Sequence, residues 1–454
     1  MKKHFGFLSW FWLFCMATVG GWAQEGQPEK IACPNGLTVD ARDWPWWRGP
    51  TLDGKAVGPQ PPTSWSETQN VLWRADLPGL GHASPCIWGD QIFIATAEGA
   101  PGESTTRKGI TIVHPSGSGE VQSLLCYDRA TGKQRWRTDV HRGGFLSRHA
   151  KNSHATATPA CDGQRVFVVF ANHGKVWLSA IDFDGKIVWQ EELGAIEGRY
   201  GYGASPLLYK SLIIVNVDHP GGGYVKALDR ATGRLVWEAQ REKWYGFSSP
   251  IVAPLAGRDQ LLQSGIYALT SYDPLSGKVL WTCQAPSNTL ASTPICTGPS
   301  DAAQRVFVTG GDPQTGIRCI RADGRGDVSE SHIAWENTVK VYVPSSLLID
   351  GRLVAVKDIG VAVCFDASSG KKLWEQRLGQ GEFSASPVVC QNIVFVPNEA
   401  GRMFVFKAGP QFEMVAENDL GDGGFASPVI VGGQMFLRTL HRLHCVGYSE
   451  DEQR

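Results

Sequence analysis

The sequence is short of several features that chemistry-bearing proteins usually carry. Its 43 Lys and Arg nearly cancel 44 Asp and Glu, for a formal net charge of -1. The clustered positive charge on which nucleic-acid affinity rests is therefore missing. There are no adjacent cysteines, and no Cys-x-x-Cys pair of the kind that holds zinc. No Gly-rich phosphate loop, Gly-x-Ser-x-Gly elbow or His-Glu-x-x-His occurs, so the usual NTPase, hydrolase and zinc-protease signatures are absent. Amphipathic helical periodicity is lacking too, which leaves a βαβ fold nothing to build on. Past the N-terminus no apolar stretch approaches the roughly 20 residues that span a bilayer. Gly (53) and Pro (26) stay below the share at which low complexity sets in. With 42 % hydrophobic residues among 454, a large core is available. Methionine is scarce at 5, whereas tryptophan is abundant at 17.

The first residues read as a targeting segment. Lys2 and Lys3 precede an apolar run over 5–19, and Gly21-Trp22-Ala23 places small residues at -3 and -1. This is the pattern of a secretory signal cut after Ala23, giving a secreted or periplasmic product. Cys15 lacks the small residues of a lipoprotein cleavage site before it, so no lipid anchor is expected. The expected division is a signal at 1–23, a leader at 24–70, a repeat domain at 71–448 and a tail at 449–454.

Internal repetition sets the architecture. A small–Ser/Thr–Pro triplet recurs at Ala83-Ser84-Pro85, Ala157-Thr158-Pro159, Ala204-Ser205-Pro206, Ser248-Ser249-Pro250, Ser292-Thr293-Pro294, Ala385-Ser386-Pro387 and Ala426-Ser427-Pro428; Ser345-Ser346-Leu347 is an eighth copy without proline. Each opens a turn and a β-branched or aromatic run. A second signature follows in Tyr127-Asp128 to Trp136, Leu228-Asp229 to Trp237, Tyr272-Asp273 to Trp281 and Phe365-Asp366 to Trp374. In it, Asp bonds nearby backbone N–H groups and Gly supplies a positive φ. Four short strands in a period of roughly 40–50 residues predict an all-β fold, a propeller of four-stranded antiparallel blades. The last unit stops near Tyr448 without its Trp-bearing strand, while residues 70–77 are such a strand with no triplet before it. Pairing the two predicts eight blades in a ring closed by the N-terminal strand, which removes exposed edges. An insertion at 97–122 is expected to form a protruding hairpin. The seventh unit, with Lys407-Ala408-Gly409-Pro410 and Val415, is expected to hold its outer strand less tightly.

Most tryptophans then have structural addresses. Trp73, Trp136, Trp189, Trp237, Trp281, Trp335 and Trp374 fall once per unit, and Trp44, Trp46 and Trp47 lie in the leader. Cys126, Cys319, Cys364 and Cys445 share one repeat position with Ala180, Ala227 and Ser271, a slot for a small buried side chain. Cys86, Cys161, Cys296 and Cys390 follow triplets and are expected as buried thiols. Cys33 and Cys283 stay open. His441-x-x-His444, read on a strand, puts its rings on opposite faces, and no metal site is expected.

Ala227-Leu228-Asp229-Arg230-Ala231-Thr232-Gly233-Arg234-Leu235-Val236-Trp237 resembles the tryptophan-docking motif of the pyrroloquinoline-quinone (PQQ)-like propeller repeat family. The resemblance covers about 71–448. Trp44-Pro45-Trp46-Trp47-Arg48-Gly49-Pro50 and Lys151-Asn152-Ser153 resemble the secreted bacterial members. The resemblance implies a propeller and two kinds of function. One is a non-catalytic scaffold, as in the lipoprotein of the outer-membrane barrel-assembly machine. The other is oxidation of alcohols or sugars with PQQ and Ca²⁺. Members of the second kind carry a vicinal Cys-Cys disulfide, a stacking Trp and carboxylate plus Asn ligands for Ca²⁺. No stretch here matches those motifs, so no catalytic residue is carried over.

The candidate site is positional. Residues just before each innermost strand ring the mouth of a propeller's channel, where ligands often bind. Here they are rich in rings and cations. His149, Lys151, His154, Arg199, Tyr202, Trp244, Tyr245, Lys340 and Tyr342 are the candidate ligand-binding residues, with His82, Arg148, Tyr200, Phe247, Phe383 and Phe425 beside them. Rings stack on a flat or sugar-like ligand and cations meet an acidic group. The expected protein is a monomeric, non-catalytic binding or scaffold module. Its partner is an envelope or extracellular protein or a small ligand, without nucleic acid and without a membrane span after signal removal. A PQQ-dependent oxidoreductase is the alternative.

Overall fold

The computed structural model describes Met1 and residues 29–66, 68–100, 102–298 and 301–449. The signal expected at 1–23 lies outside the described residues apart from Met1, and the tail at 449–454 apart from Ser449. Regular structure among the described residues is all β, and none of it is a helix long and apolar enough to cross a membrane.

After each triplet but the last, four antiparallel strands form one sheet in sequence order. The first set is Cys86–Trp88, Gln91–Glu98, Val121–Asp128 and Gln134–Arg142. The same order runs from Ala160–Cys161 to Ile187–Ala195, from Leu207–Tyr209 to Leu235–Gln240 and from Ile251–Leu255 to Val279–Gln284. It continues from Ile295–Cys296 to Ile333–Asn337, from Leu347–Ile349 to Lys372–Arg377 and from Val388–Cys390 to Phe412–Asp419. One sheet is assembled from both ends of the chain. Val429–Val431, Gln434–Arg438 and Arg442–Val446 take Val71–Asp76 as their fourth strand, with Trp73 opposite Cys445. Each sheet stays open, and the pattern of repeated four-stranded sheets is that of a propeller.

Burial explains the strand composition. Second strands such as Arg165–Asn172 (RVFVVFAN) are buried at all but the first residue, because both faces meet neighbouring sheets. Fourth strands such as Val71–Asp76 alternate between half-buried and exposed, as one-sided strands do. The register also explains the cysteines. Each terminal-strand Trp stands directly opposite a small residue: Trp136 opposite Cys126, Trp189 opposite Ala180, Trp237 opposite Ala227, Trp281 opposite Ser271, Trp335 opposite Cys319 and Trp374 opposite Cys364. An indole leaves room for little else across the pair. The ten described cysteines, Cys33 and Cys283 included, are free thiols, and all but the half-buried Cys296 are buried.

Six of these tryptophans reach into the turn of the following sheet. Their indole N–H groups donate to Arg129 O, Phe183 O, Arg230 O, Pro274 O, Ala367 O and Gly409 O, for Trp73, Trp136, Trp189, Trp237, Trp335 and Trp374 respectively, at 2.8–3.3 Å. Trp281 departs from this pattern. The connection after Gly316–Arg321 carries an extra short strand, Gly326–Asp327, that pairs in parallel with Val279–Gln284. The indole of Trp281, fully buried, donates inward to Gln260 Oε1 at 2.7 Å instead.

The insertion does form a hairpin, Ser104–Arg107 with Ile110–Val113. It does not stand free, because Arg148–His149 adds to it as a third strand. In the seventh unit the outer strand Phe412–Asp419 pairs along Arg402–Ala408, and the leader's Trp65 joins the same hydrophobic cluster as Val415. Asn418 fixes this leader segment, accepting from Trp65 N (2.9 Å) and donating to Thr63 O (3.0 Å).

The leader also ties distant sheets together. Trp44 bridges Ile87, and Pro45 O accepts from Cys161 N at 2.7 Å. Trp47 Nε1 donates to Thr293 Oγ1 at 2.8 Å, and buried Arg48 donates to Ser346 O (2.7 Å), Pro387 O (2.8 Å) and Asp53 O (2.9 Å). Lys55–Ala56 then runs parallel to Val388–Cys390. Trp44 to Arg48 thus reach from the first two triplets to the Thr293, Ser345 and Ser386 triplets. Five residues extend at most about 18 Å, so these triplets lie within reach of one short segment.

Candidate functional site

The triplets meet through their hydroxyls. The N–H of Ser84 donates to Thr158 Oγ1, that of Thr158 to Ser205 Oγ, and that of Ser205 to Ser249 Oγ, at 2.8–3.0 Å. The series resumes with Thr293 N to Ser345 Oγ, Ser345 N to Ser386 Oγ and Ser386 N to Ser427 Oγ, at 2.8–2.9 Å. Two links depart from it. Thr293 Oγ1 accepts from Trp47, and Ser84 Oγ is buried without a partner among the described residues. The belt also corrects one repeat assignment. Ser345, not Ser346, takes the hydroxyl position, so the eighth copy is shifted by one residue and Ser346 stands where the others have proline. Accordingly Arg48 takes the carbonyls of Ser346 and Pro387 as an equivalent pair.

On this belt rests a cavity of about 830 Å³, with Trp47 in its lining. Of the sequence-predicted residues, His149, Lys151, Arg199, Trp244, Tyr245, Lys340 and Tyr342 line it, as do His82, Tyr200, Phe247, Phe383 and Phe425. His154, Tyr202 and Arg148 do not. The His154 ring stacks on Phe145 at 4.0 Å, where burial pushes its pKa down to about 3. The Tyr202 hydroxyl donates to Asn216 O at 3.1 Å, and Arg148 caps Asn152 O at 2.6 Å. A buried polar tip that finds a partner turns away from the opening.

The aromatic side of the cavity is rigidly built. Tyr200 meets Tyr245 edge-on at 4.6 Å, Tyr245 stacks on Phe247 at 6.3 Å, and Trp244 Nε1 is held by Thr289 Oγ1 at 3.1 Å. His82 stacks on Phe425 at 4.2 Å, and burial with nearby Arg438 and Arg148 pushes its pKa down to about 3. It is a neutral ring at pH 7. Arg199 stacks its guanidinium over Tyr200 at 5.5 Å.

The charged lining is uneven. Lys151 is bonded to Glu382 and, at 2.9 Å, to Glu399; burial opposes its charge, but these two bonds outweigh it and raise its pKa above the usual lysine value. Glu399 also accepts from Ser384 Oγ at 2.6 Å. Asp358 accepts the N–H groups of Tyr342 (2.9 Å) and Val343 (3.0 Å). Arg199 and Lys340 are exposed, and neither forms an ion pair with a carboxylate among the described residues.

The sequence reading missed Trp47, the acids Asp312, Asp358, Glu382 and Glu399, and Ile110 of the inserted hairpin, all of which line the cavity. Trp47 carried a signal in the leader motif. Glu382, beside Phe383 and before a triplet, shared that residue's positional signal; Asp312, Asp358 and Glu399 follow second strands, Arg305–Gly310, Arg352–Lys357 and Ile393–Pro397, and carried none. His441 and His444 do not meet: His441 is exposed and bonded to Asp422 at 3.1 Å, whereas His444 is wholly buried.

A family model described as outer membrane protein assembly factor BamB matches residues 120–357 and 317–409. The crystal structure of BamB from Moraxella catarrhalis is similar with a TM-score of 0.53 and 15 % identity, over 79 % of this chain and 98 % of that one. Quinohemoprotein alcohol dehydrogenase from Comamonas testosteroni is similar with a TM-score of 0.58 and 13 % identity, over 90 % and 81 %. For the quinohemoprotein alcohol dehydrogenase ADHIIG from Pseudomonas putida HK5 the TM-score is 0.60 at 11 % identity, again over 90 % and 81 %. At these identities the likeness is one of fold. No curated protein is significantly similar to the chain in sequence.

Proposed function

Since the chain belongs to the PQQ-like repeat β-propeller family of the outer membrane protein assembly factor BamB, we propose that it is an extracytoplasmic propeller acting as a non-catalytic binding module. In this reading residues 71–448 form eight blades, closed into a ring by the pairing of Val71–Asp76 with Arg442–Val446. Six of the terminal-strand tryptophans, all but Trp281, dock neighbouring blades, residues 24–70 are the leader, and residues 1–23 are a cleaved signal. The cavity lined by His149, Lys151, Arg199, Trp244, Tyr245, Lys340 and Tyr342 is its binding site. A volume of about 830 Å³ falls within the roughly 300–1,000 Å³ of small-ligand sites.

The observation that carries the non-catalytic reading is the state of the cavity's carboxylates. Glu382 and Glu399 are bonded to Lys151 and Asp358 to two backbone N–H groups, which leaves Asp312 as the one lining carboxylate without such a bond among the described residues. No three His, Cys, Asp or Glu among the described residues converge as a metal site. With Asp312 the one lining carboxylate left free, the donor set does not fit a Ca²⁺-held quinone, because Ca²⁺ takes about six to eight oxygen ligands. The test is to add PQQ with Ca²⁺ to the purified protein and follow melting temperature and dye-coupled oxidation of alcohols and sugars. A ligand that binds only the folded state raises the melting temperature. No rise and no dye reduction are expected; a rise accompanied by dye reduction overturns the proposal in favour of a quinone-dependent oxidoreductase.

A further inference from the structure

We propose that the cavity takes an oligosaccharide bearing anionic groups, carboxylate or sulfate. The inference rests on the cavity being the binding site and goes on to assign its ligand chemistry. Three features converge on it.

The first is the floor. Each belt hydroxyl on the cavity lining, from Thr158 and Ser205 round to Ser386 and Ser427, accepts one N–H and has no acceptor for its own O–H among the described residues. A hydroxyl is both donor and acceptor, so the floor holds a partial ring of O–H groups with their donor side unspent. A polyhydroxyl ligand, rich in acceptor oxygens, matches such a surface.

The second is the wall. Trp244 is 41 % exposed, and its ring is held in place by the bond to Thr289. Tyr245 is braced by Phe247 and Tyr200. Pre-organised flat faces beside polar groups suit the apolar C–H faces of a pyranose, at little entropic cost.

The third is charge. Of the lining cations, Lys151 is neutralised by Glu382 and Glu399, and Lys357 by Glu375. Arg199 and Lys340 are without such ion pairs and share the lining with the aromatic wall. They lend the ligand's aromatic-facing part a requirement for negative oxygen atoms, which a guanidinium and an ammonium bind by charge-assisted hydrogen bonds. An acidic peptide meets the same cations. It fits the floor less well, because most triplet N–H groups are spent on the belt and cannot pair with an extended backbone.

The experiment is a calorimetric titration of the full-length protein with four probes: tetragalacturonate, a sulfated tetrasaccharide of the carrageenan type, neutral cellotetraose and tetraglutamate. The same titrations follow with Arg199→Gln/Lys340→Gln and with Trp244→Ala, whose exposed positions keep the fold intact, as far-UV circular dichroism and melting verify. One or both anionic saccharides are expected to bind at least tenfold tighter than cellotetraose, and the stronger of the two names the anionic group. The double charge variant is expected to lose tenfold or more in that affinity, and Trp244→Ala to weaken every saccharide. Binding of tetraglutamate but of no saccharide overturns the ligand assignment while leaving the cavity as the binding site. Saccharide binding that neither variant weakens, or equal binding of charged and neutral saccharides, overturns it too. So does no binding by any probe, whatever PQQ and Ca²⁺ do in the separate oxidation assay.

Discussion

Replacing Gly277 by alanine isolates what a tryptophan lying on the next turn contributes. Gly277 closes the turn after Tyr272 with φ +69°, its N–H donating to Asp273 O at 2.9 Å. A Cβ there lies 2.4 Å from Cε3 of Trp237, against about 3.5–4.0 Å for carbon atoms in contact. The ring cannot retreat freely, because its Nε1 is bonded to Pro274 O at 3.1 Å and it lies opposite Ala227. Two costs follow. A left-handed backbone with a side chain costs roughly 1–2 kcal/mol, and overpacking roughly 1–3 kcal/mol, for about 2–5 kcal/mol together. Gly257, in the same sheet, supplies the control. Its φ is +73° with nothing within 4 Å of a Cβ, so Gly257→Ala is expected to cost only the backbone share, roughly 1–2 kcal/mol. Urea unfolding followed by far-UV circular dichroism measures both. In a Trp237→Ala background, itself destabilised by about 3–5 kcal/mol, the extra cost at Gly277 should vanish. The missing share is then a coupling energy of about 1–3 kcal/mol, the scale of contacting residues. Equal costs at Gly277 and Gly257, or an extra cost that survives removal of the ring, would refute the contact.

Two further outcomes follow from the belt and from a buried imidazole. Ser386→Ala strands the buried N–H of Ser345 and is expected to cost about 1–3 kcal/mol, whereas Ser84→Ala deletes an oxygen that is already unpaired and is expected to be neutral or slightly stabilising; the same unfolding assay reads both, and equal losses contradict the belt. Burial, with Arg74 next, pushes the His444 pKa down to about 4, so the unfolded chain, with an ordinary value near 6.5, takes up the proton first. Its contribution to stability is whole above about pH 6.5 and declines by at most about 1.4 kcal/mol per pH unit as pH falls towards 4; His444→Gln should flatten that slope in stability measured across pH 4–7, and an unchanged slope would contradict burial of the neutral ring.

Much of the fold is legible because its signals are local. The Asp…Gly turns, the Trp of seven of the fourth strands and its small partner recur at fixed offsets, so Cys126 and Ala180 are recognisable as one slot before any sheet is seen. The seven lining residues were accessible for the same reason: they precede strands whose positions the triplets announce. What escaped depends on other parts of the chain. The turn of Trp281 towards Gln260 follows from the Gly326–Asp327 strand, which lies in another unit. The one-residue shift at Ser345 shows only when its hydroxyl takes its place between Thr293 and Ser386. The outward turn of His154 and Tyr202 was fixed by Phe145 and Asn216, partners with no positional rule. A hairpin within 97–122 is readable from the Gly/Ser-rich edges around the apolar run at 109–113, but its seat beside Arg148 is not.

The strand Val71–Asp76 has a consequence in time. Arg442 Nε donates to Asp76 across 366 residues of sequence. A chain made from its N-terminus at about 5–20 residues per second waits roughly 20–70 s between exposing this strand and producing its partner. Throughout that interval a Leu- and Trp-bearing strand with open backbone groups is available to other chains. Arg74 and Asp76 on it are the charges that discourage such pairing. The pairing that completes the last sheet is also of the highest contact order, and so among the slowest to form. Loss of the residues from Arg442 to Val446 would therefore leave not a slightly shorter protein but one whose strand Val71–Asp76 never finds its place.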